Sequence, residues 1–276
     1  MNKKGRFSLI VHTNSPGELM TWVEPFIKNF RSVNPNSKID IMLLPCQYAS
    51  GEEAKLAKLI PGIRSVYAPK ETIKLLFSLP WFKKFKQTAI LNLGGDPFYS
   101  QMFGIKYRCP VYAYTEHKRS PGLFFRHVFY KHKDGDIMSA RIANAHLDRQ
   151  EILQKFQLPD KPYCLFFSSS RIAHFKSLVP FYSDVVKKIR ETNPDFTPIL
   201  SVSRTIPSSE LDKMKETTDL SAFHIVRASS LELLSISKLL VTIPGSNTAE
   251  AMYLHTPMIV LIPLNRPDLI QFDGLL

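Results

Sequence analysis

The chain alternates short apolar runs with segments of helical periodicity along its whole length. The apolar runs are rich in Val, Ile, Leu and Phe and show little polar alternation, which is typical of parallel strands buried on both faces. We predict strands over residues 7–13, 38–44, 88–93, 110–115, 136–139, 163–168, 197–203, 222–226, 238–243 and 256–262. The helices predicted between them include 50–60, 142–156, 176–192 and 208–216. Strands and helices in alternation predict an α/β fold with right-handed crossovers.

The series of strands restarts near residue 160, after a helical segment that ends in the proline-rich sequence LPDKP. We therefore predict two Rossmann-like parallel-sheet domains, residues 1–158 and 159–276. Pro180 is expected in the first turn of its helix, where a missing N–H is harmless. Ligands of such sheets bind beyond the carboxyl ends of the strands, so the strand-to-helix loops are where chemistry is expected.

Two loops of the first domain carry candidate residues. In the loop after the first strand, a glycine permits a tight turn and backbone N–H groups can face an anion, although a helix cap with a Pro-Gly turn fits equally. Its candidate residues are Asn14, Ser15, Gly17 and Glu18. In the loop Gly94-Gly95-Asp96-Pro97, Asp96 can accept a proton from a hydroxyl group. The local pattern favours the alternative, a helix N-cap Asp before Pro.

Two loops of the second domain suit a nucleotide. Hydroxyls, N–H groups and an arginine at a helix start, in Ser168-Ser169-Ser170-Arg171, suit a diphosphate, and an ordinary serine-rich turn fits equally. The loop 244–250 combines a glycine, three donors and a carboxylate. These residues are Gly245, Ser246, Asn247, Thr248 and Glu250. The alternative there is a capping box, with Asn247 as the cap and Glu250 at the third helical position.

Composition narrows the class of protein. Of 276 residues, 44% are hydrophobic and 22% charged, which is globular rather than disordered. The three cysteines are far apart, which disfavours a disulfide framework or a zinc site. No apolar run approaches the roughly 20 residues of a membrane helix, and the N-terminal run is too short for a signal peptide. We expect a cytoplasmic protein. GxGxxG and Walker A sequences are absent, which disfavours dinucleotide oxidoreductases and P-loop NTPases.

The net charge of +12 is unevenly distributed. Residues 70–133 hold twelve Lys and Arg against three acidic residues, with aromatic residues between them. Bulky apolar groups beside cations suit an anionic membrane face, whereas nucleic acid is disfavoured because no nucleic-acid module is visible. The alternative is core aromatics beside solvated lysines. The predicted membrane contact comprises Trp81, Phe82, Lys83, Lys84, Phe85 and Lys86.

Taken in order, the four loops resemble the lipid-A-disaccharide synthase family of glycosyltransferases. The strongest similarity is IPGSNTAEAMYLHTPMIVLIPL, residues 243–264, and FFSSSR is similar to the family's Gly-Ser-Arg loop. LGGDPFYSQMFG stands where the family has a Gly-x-Asp loop, but lacks its further acidic residue. NSPGEL departs from the family's Gly-Glu-rich first loop. The ending NRPDLIQFDGLL resembles a divergent, synthase-like branch.

The resemblance implies a GT-B fold and an inverting transfer of a sugar, such as acylated glucosamine, from a UDP-sugar to a lipid-linked acceptor at the inner membrane face. It implies no metal and no cofactor. Asp96 would be the base and residues 14–18 would bind the acceptor. Ser170 and Arg171 would bind the diphosphate, and the loop 244–250 the rest of the nucleotide. Family members are longer, so the last strands of the second domain are expected to be missing.

Two alternatives stay open. One is another UDP-sugar enzyme, either an epimerase or a different GT-B transferase. The other is a catalytically inactive, membrane-associated relative, which would bind UDP without turnover. The reaction product separates these alternatives, because only a transferase forms a new glycosidic bond.

Overall fold

The computed structural model of the chain describes residues 7–46, 51–79, 85, 87–227 and 230–262. It divides into two compact units, residues 1–141 and 142–276. The helix Arg149–Phe156 contributes Ile152 and Leu153 to the apolar core of the second unit. The structural division therefore comes before the boundary that we predicted at residues 158 and 159. The linking sequence LPDKP follows a helix that already belongs to the second unit.

The described part of the first unit contains one parallel sheet. Its strands are β1 (Ser8–Thr13), β2 (Lys38–Leu43), β3 (Ser65–Tyr67), β4 (Thr88–Asn92), β5 (Val111–Thr115) and β6 (His127–Tyr130). They lie in the order β3-β2-β1-β4-β5-β6. The helices are α1 (Pro16–Glu18), α2 (Glu24–Val33), α3 (Glu53–Leu59), α4 (Pro69–Phe77), α5 (Pro97–Tyr107), α6 (Lys131–Asp134) and α7 (Ile137–Ala143). A π-helical turn, Leu19–Val23, joins α1 to α2.

The described part of the second unit contains another parallel sheet. Its strands are β7 (Tyr163–Phe167), β8 (Pro198–Ser201), β9 (His224–Val226), β10 (Ser237–Thr242) and β11 (Met258–Val260). They lie in the order β11-β10-β7-β8-β9. The helices are α8 (Arg149–Phe156), α9 (Ile172–Thr192), α10 (Ser208–Thr217), α11 (Ser230–Ile236) and α12 (Ser246–Tyr253). Two parallel-sheet α/β domains of the GT-B type confirm the predicted fold class.

Both faces of each sheet are covered, which explains the unbroken apolar runs in the sequence. Successive residues of a strand point to opposite faces, and in β1 Val11 lies in one apolar cluster and Ile10 in another. In β7, Phe166 and Leu165 divide between two clusters in the same way. Because neither face of these strands meets water, no polar alternation is needed.

The structure corrects one predicted strand. Residues 137–139 belong to the helix α7 instead, and the side chain of Asp136, just before that helix, accepts a hydrogen bond from the Met138 N–H at 2.9 Å. An Asp that binds an N–H two residues on favours a helix start. The strands β3 and β6 were not predicted. β3 has three residues, and β6 lies at the sheet edge, where its side chains alternate in exposure.

Pro180 was also placed wrongly. It lies inside α9, which begins at Ile172 and continues to Thr192, rather than in the first turn. The apolar side chains of this helix explain its length, because Phe175, Val179 and Val186 are fully buried in one cluster of the second unit. Burial of this face outweighs the hydrogen bond that the proline cannot make.

Each sheet has a point where the strand order reverses. The chain leaves β1 toward β2 and β3 and returns to β4 on the other side; it leaves β7 toward β8 and β9 and returns to β10. Around each reversal the following helices cover opposite faces. α2 and α5 belong to different apolar clusters, and so do α9 and α12. Such reversals leave a crevice at the carboxyl ends of the strands. All four predicted loops follow one of these four strands.

Candidate active site

The first loop begins a helix, as its alternative interpretation predicted. Ser15 caps α1, because its hydroxyl accepts the Glu18 N–H at 3.3 Å. The Glu18 carboxylate accepts the Ser15 N–H at 3.3 Å in return, which completes a capping box. Pro16 occupies the first helical position. These hydrogen bonds therefore hold the loop 14–18 in a defined conformation.

Glu18 also joins this loop to the loop that follows β4. Its carboxylate accepts hydrogen bonds from the Thr13 hydroxyl and the Asn14 N–H, both at 3.1 Å, and from the Gly95 N–H. Burial raises the pKa of Glu18, and these hydrogen bonds oppose that shift. A Cβ at Gly94 would lie 2.0 Å from Glu18 Oε2, so only glycine permits this approach. The acceptor-binding role of Asn14, Ser15, Gly17 and Glu18 stays a prediction.

Asp96 caps the helix α5. Its Oδ1 accepts the Phe98 N–H at 2.9 Å, and Pro97 occupies the first helical position. The alternative interpretation of Asp96 as a helix cap is therefore correct locally. The side chain is exposed at the carboxyl edge of β4, beside the reversal of the sheet. Its role as a base stays a prediction, and capping does not exclude it, because one carboxylate oxygen suffices for the cap.

Behind these loops lies a buried polar trio that the sequence interpretation missed. His12 and Asn92 are register partners at the ends of β1 and β4. The Ser100 hydroxyl of α5 accepts from the Asn92 amide at 3.0 Å and lies 2.8 Å from His12 Nδ1. Polar residues at the ends of two apolar strands were the sequence feature that marked this trio.

His12 is neutral in this environment. Its side chain is fully buried, which lowers its pKa to about 3. Nε2 of the ring has no hydrogen-bond partner within the described ranges. The ring packs edge-on against Phe103, with 5.2 Å between centroids. The trio therefore fixes α5, and with it the Asp96 cap, to the ends of β1 and β4.

In the second unit, the loop 168–171 leads into the long helix α9. Ser169 has a φ of +73°, and its hydroxyl accepts the Arg171 N–H at 3.4 Å and lies 3.2 Å from His174 Nδ1. The residue before α9, Arg171, makes no side-chain capping hydrogen bond. The N-terminus of α9, with the positive end of the helix dipole, suits an anion.

The loop 244–250 differs from its predicted capping box. Gly245 is the N-cap of α12, and its carbonyl accepts from the Thr248 N–H and hydroxyl at 3.1 and 2.6 Å. Asn247 does not cap the helix, because its amide donates to the Thr242 hydroxyl. Glu250 is the fifth helical residue and only 1% exposed, whereas Ser246 is exposed. Nucleotide binding by this loop stays a prediction.

The two loops of the second unit are neighbours. β7 and β10 pair in parallel, with Phe166 opposite Val241, so residues 168–171 and 244–250 leave the same edge of the sheet side by side. They flank the strand reversal of the second sheet, as residues 14–18 and 94–97 flank that of the first. The structure thus places each pair of predicted loops at one crevice of its own unit.

Among the described residues, no group of three His, Cys, Asp or Glu side chains is arranged to hold a metal ion. In the Asp134-Gly135-Asp136 sequence, Asp134 accepts the Tyr130 N–H at 2.7 Å and Asp136 pairs with Lys131 at 3.3 Å. None of the described helices combines the length and apolarity needed to span a bilayer.

The predicted membrane segment is mostly outside the described residues. Trp81, Phe82, Lys83, Lys84 and Lys86 are not described. Phe85 is described and 40% exposed; its N–H donates to the Tyr107 carbonyl at 3.1 Å, and the two rings meet edge-on at 4.5 Å. The end of the segment therefore lies against the end of α5.

Known structures share the fold. UDP-GlcNAc 2-epimerase from Neisseria meningitidis bound to UDP-GlcNAc matches with a TM-score of 0.60 and 14% identity, covering 95% of this chain and 85% of that one. A putative UDP-N-acetylglucosamine 2-epimerase from Listeria monocytogenes gives 0.57 and 12%, covering 96% and 81%. The UDP-GlcNAc 2-epimerase from Methanocaldococcus jannaschii gives 0.54 and 14%, covering 96% and 86%. At these identities the likeness concerns the fold alone.

Comparison of the sequence with protein families gives a match. None of the curated proteins matches the chain significantly. The family described as Lipid-A-disaccharide synthetase matches residues 135–270, which include both loops of the second crevice. The predicted family resemblance is therefore confirmed over residues 135–270, slightly less than half of the chain, where the chain is similar to the lipid-A-disaccharide synthetase family.

Proposed function

We propose that this protein is a glycosyltransferase that transfers a sugar from a UDP-sugar to a lipid-linked acceptor. The observation that carries the proposal is the family match over residues 135–270, because it spans both loops at the strand reversal of the second sheet. The Neisseria meningitidis epimerase, which shares the fold, was solved with UDP-GlcNAc. A UDP-sugar is therefore the donor that we propose, with acylated glucosamine as its sugar.

Donor binding in this proposal uses the second crevice. Arg171, the Ser170 hydroxyl and the first N–H groups of α9 bind the diphosphate, which leaves as an anion and needs positive charge nearby. Gly245, Ser246, Asn247, Thr248 and Glu250 form the nucleotide side of the site. Because Arg171 and the helix N-terminus supply the charge, we propose that neither a metal nor a cofactor is required.

Acceptor activation in this proposal uses the first crevice. Asp96 takes the proton of the acceptor hydroxyl as the new glycosidic bond forms and the bond from the sugar to the diphosphate breaks. Attack opposite the leaving group inverts the anomeric centre. Residues 14–18 hold the acceptor, and Glu18 keeps them beside the loop of Asp96. The His12–Ser100–Asn92 trio anchors the helix that Asp96 begins.

An apolar surface on the first unit supports a membrane partner. Lys106 of α5 donates to the carbonyls of Leu76 and Ser78, so the end of α4 lies beside α5. The Gln101 side chain of α5 accepts the Phe124 N–H at 3.1 Å, so the loop 118–126 also lies beside α5. These elements carry exposed apolar side chains: Phe77 71%, Leu79 85%, Phe85 40%, Phe98 56%, Ile105 40%, Leu123 92% and Phe124 68%. Exposed apolar side chains on neighbouring elements favour an interaction site.

The charges around this surface point to an anionic bilayer. The cations on the same elements are Lys70, Lys74, Arg108, Lys118, Arg119 and Arg126. Each basic residue near an anionic membrane contributes about 1 kcal/mol of attraction, which salt screens. We therefore propose a peripheral location on the inner face of the cytoplasmic membrane, where a lipid-linked acceptor is at hand.

The product of the reaction tests the function. The protein is incubated with a UDP-linked acylated glucosamine and a lipid-linked glucosamine phosphate, and the products are identified by mass spectrometry. A new glycosidic bond with release of UDP is expected. An epimerised donor without transfer would favour the epimerase that the shared fold makes the second candidate. UDP binding without any product would identify an inactive relative.

Asp96→Asn tests the base. Asparagine caps a helix about as well as aspartate, so α5 keeps its start and only the charge is lost. Turnover should fall by about 10²–10⁴-fold while the affinity for UDP, measured by calorimetry, stays unchanged. Full activity of the variant would leave Asp96 as a helix cap and nothing more.

Vesicle sedimentation tests the membrane partner. The parent should sediment with vesicles rich in anionic lipid and be released as salt rises. Changing Lys83, Lys84 and Lys86 to Glu, or Leu123 and Phe124 to Ser, should abolish binding. Val33→Ser is the matched control, since Val33 is 77% exposed but lies on α2. Equal sedimentation of all variants would contradict the proposal.

A further inference from the structure

The loop after β8 is built onto the proposed diphosphate loop. β7 and β8 pair in parallel, with Phe167 opposite Ser201, so their loops leave the same edge. The Thr205 hydroxyl donates to the Ser170 carbonyl at 2.7 Å and lies 2.8 Å from the Ser203 hydroxyl. Thr205 is 2% exposed, so this link is buried. The residue between Ser203 and Thr205 is thereby fixed beside residues 168–171.

That residue is Arg204. It is exposed, and within the described ranges it forms neither a hydrogen bond nor an ion pair. The acidic residue that follows it on α10, Glu210, is already paired with Lys176 at 2.6 Å and with Lys213 at 3.1 Å. Arg227, in contrast, donates to the Ser208 hydroxyl at 3.0 Å and to the Ile206 carbonyl. A guanidinium with no protein partner on a rigid loop is available to a ligand.

We propose that Arg204 is a second arginine of the donor site and that, together with Arg171, it makes the site selective for a nucleoside diphosphate over a monophosphate. This inference rests on the proposed function. Two guanidinium groups on two linked loops match two phosphates, and each makes charge-assisted hydrogen bonds of fixed geometry. After transfer, Arg204 holds the β-phosphate of the departing diphosphate, whose negative charge is then greatest.

The test compares ligands with different numbers of phosphates. Affinities for UDP, UMP and uridine are measured by calorimetry on the full chain for the parent, Arg204→Gln and Arg190→Gln. Arg190 is the matched control, an exposed arginine in the last turn of α9. Arg204→Gln should weaken UDP binding by about ten- to a hundredfold, UMP binding less and uridine binding not at all. Arg204→Lys should recover part of the loss, since it keeps the charge without the fork.

The outcomes separate the two proposals. If the parent binds UDP but Arg204→Gln leaves the ratio of UDP to UMP affinity unchanged, Arg204 has no part in the donor site. An equal loss for all three ligands would indicate a structural effect and reject the inference as well. If the parent binds none of them, the proposed function fails, and the inference fails with it.

Discussion

Gly94 is the residue on which the conformation of the two loops at the first crevice depends most directly. Its φ of +147° lies where side chains are rarely tolerated, and the Glu18 carboxylate occupies the place of its Cβ. The same carboxylate closes the capping box of Ser15 and binds the Gly95 N–H. One glycine therefore lets one carboxylate organise the loops after both β1 and β4.

Gly94→Ala should lower the free energy of unfolding more than Gly135→Ala. Both glycines have positive φ, and a strained backbone of this kind costs about 1–3 kcal/mol. Gly135 faces open space, whereas an alanine at 94 would also displace Glu18. Urea unfolding of the two variants measures the difference. Equal losses would mean that Glu18 moves aside without cost.

His12 makes stability depend on pH. Its pKa in the fold is about 3, below its ordinary 6.5, so between these values the unfolded chain binds a proton that the folded chain does not. The stability that comes from neutral His12 is complete above about pH 6.5 and is lost as pH falls, at about 1.4 kcal/mol per pH unit. His12→Asn should remove this slope in urea unfolding. The exposed control His132→Asn should keep it, and a slope that persists without His12 would contradict the assignment.

At the scale of single residues, the sequence predicted what local spacing determines. From such spacing the sequence predicted a helix cap with a Pro-Gly turn at residues 14–18 and the Asp96 cap before a proline, and both caps are present. It did not predict that Asn247 would turn away from its helix to Thr242, since that partner lies on a strand. Nor did it show that His12, Asn92 and Ser100 meet, because their contact spans 88 residues of chain.

At the scale of elements, Lys106 stands out as a buried cation in α5. It is 2% exposed, and its Nζ donates to the carbonyls of Leu75, Leu76 and Ser78 at the end of α4. These carbonyls lie at the C-terminal end of α4, where a cation suits the helix dipole, and the Leu75 carbonyl also accepts from the Ser78 hydroxyl at 2.8 Å. Burial lowers the pKa of Lys106. The lysine ties α4 to α5 under the apolar surface.

Lys106→Met should therefore cost about 1–3 kcal/mol of unfolding free energy, because it removes the buried donor to the Leu76 carbonyl. Lys74→Met is the control: Lys74 is exposed on α4, and its loss should change stability by less than about 0.5 kcal/mol. Thermal or urea unfolding measures both. Similar effects for the two variants would show that the carbonyls are satisfied by water.

Buried strands were predictable, and edge strands and one helix were not. Apart from residues 136–139, the other nine predicted strands are present within a few residues of their predicted bounds. β3 and β6 were missed since a short or half-exposed edge strand lacks a continuous apolar run. Residues 136–139 carry the apolar pair Ile137 and Met138, which suits either state, and the Asp136 hydrogen bond decided for helix.

At the scale of the whole molecule, the two units use one topology for two sets of loops. Each unit reverses its strand order once, and each reversal is flanked by two of the four predicted loops. The order of elements along the chain was enough to predict this, because connections in parallel sheets follow few rules. The position of the domain boundary could not be predicted in this way, because only the packing of Ile152 and Leu153 shows that α8 belongs to the second unit.

If the second crevice binds the donor, UDP should protect only that unit. Hydrogen exchange with mass spectrometry is expected to slow at residues 168–171, 203–205 and 244–250, and to stay unchanged at residues 14–18 and 94–97. At a UDP concentration of 100 times Kd, binding should stabilise the folded state by about 2.7 kcal/mol. Protection of similar size at the first crevice would contradict the proposal that the donor binds only in the second unit.

The crevices come from topology, not from any single side chain. Helices that leave neighbouring strands for opposite faces open a gap whichever residues fill the loops, since α2 and α5, like α9 and α12, pack in separate apolar clusters. A chimera that exchanges residues 244–250 for those of a relative would keep its sheet and its gap. The preference for a donor and the preference for an acceptor can therefore change independently, one loop at a time, while both sheets keep their structure.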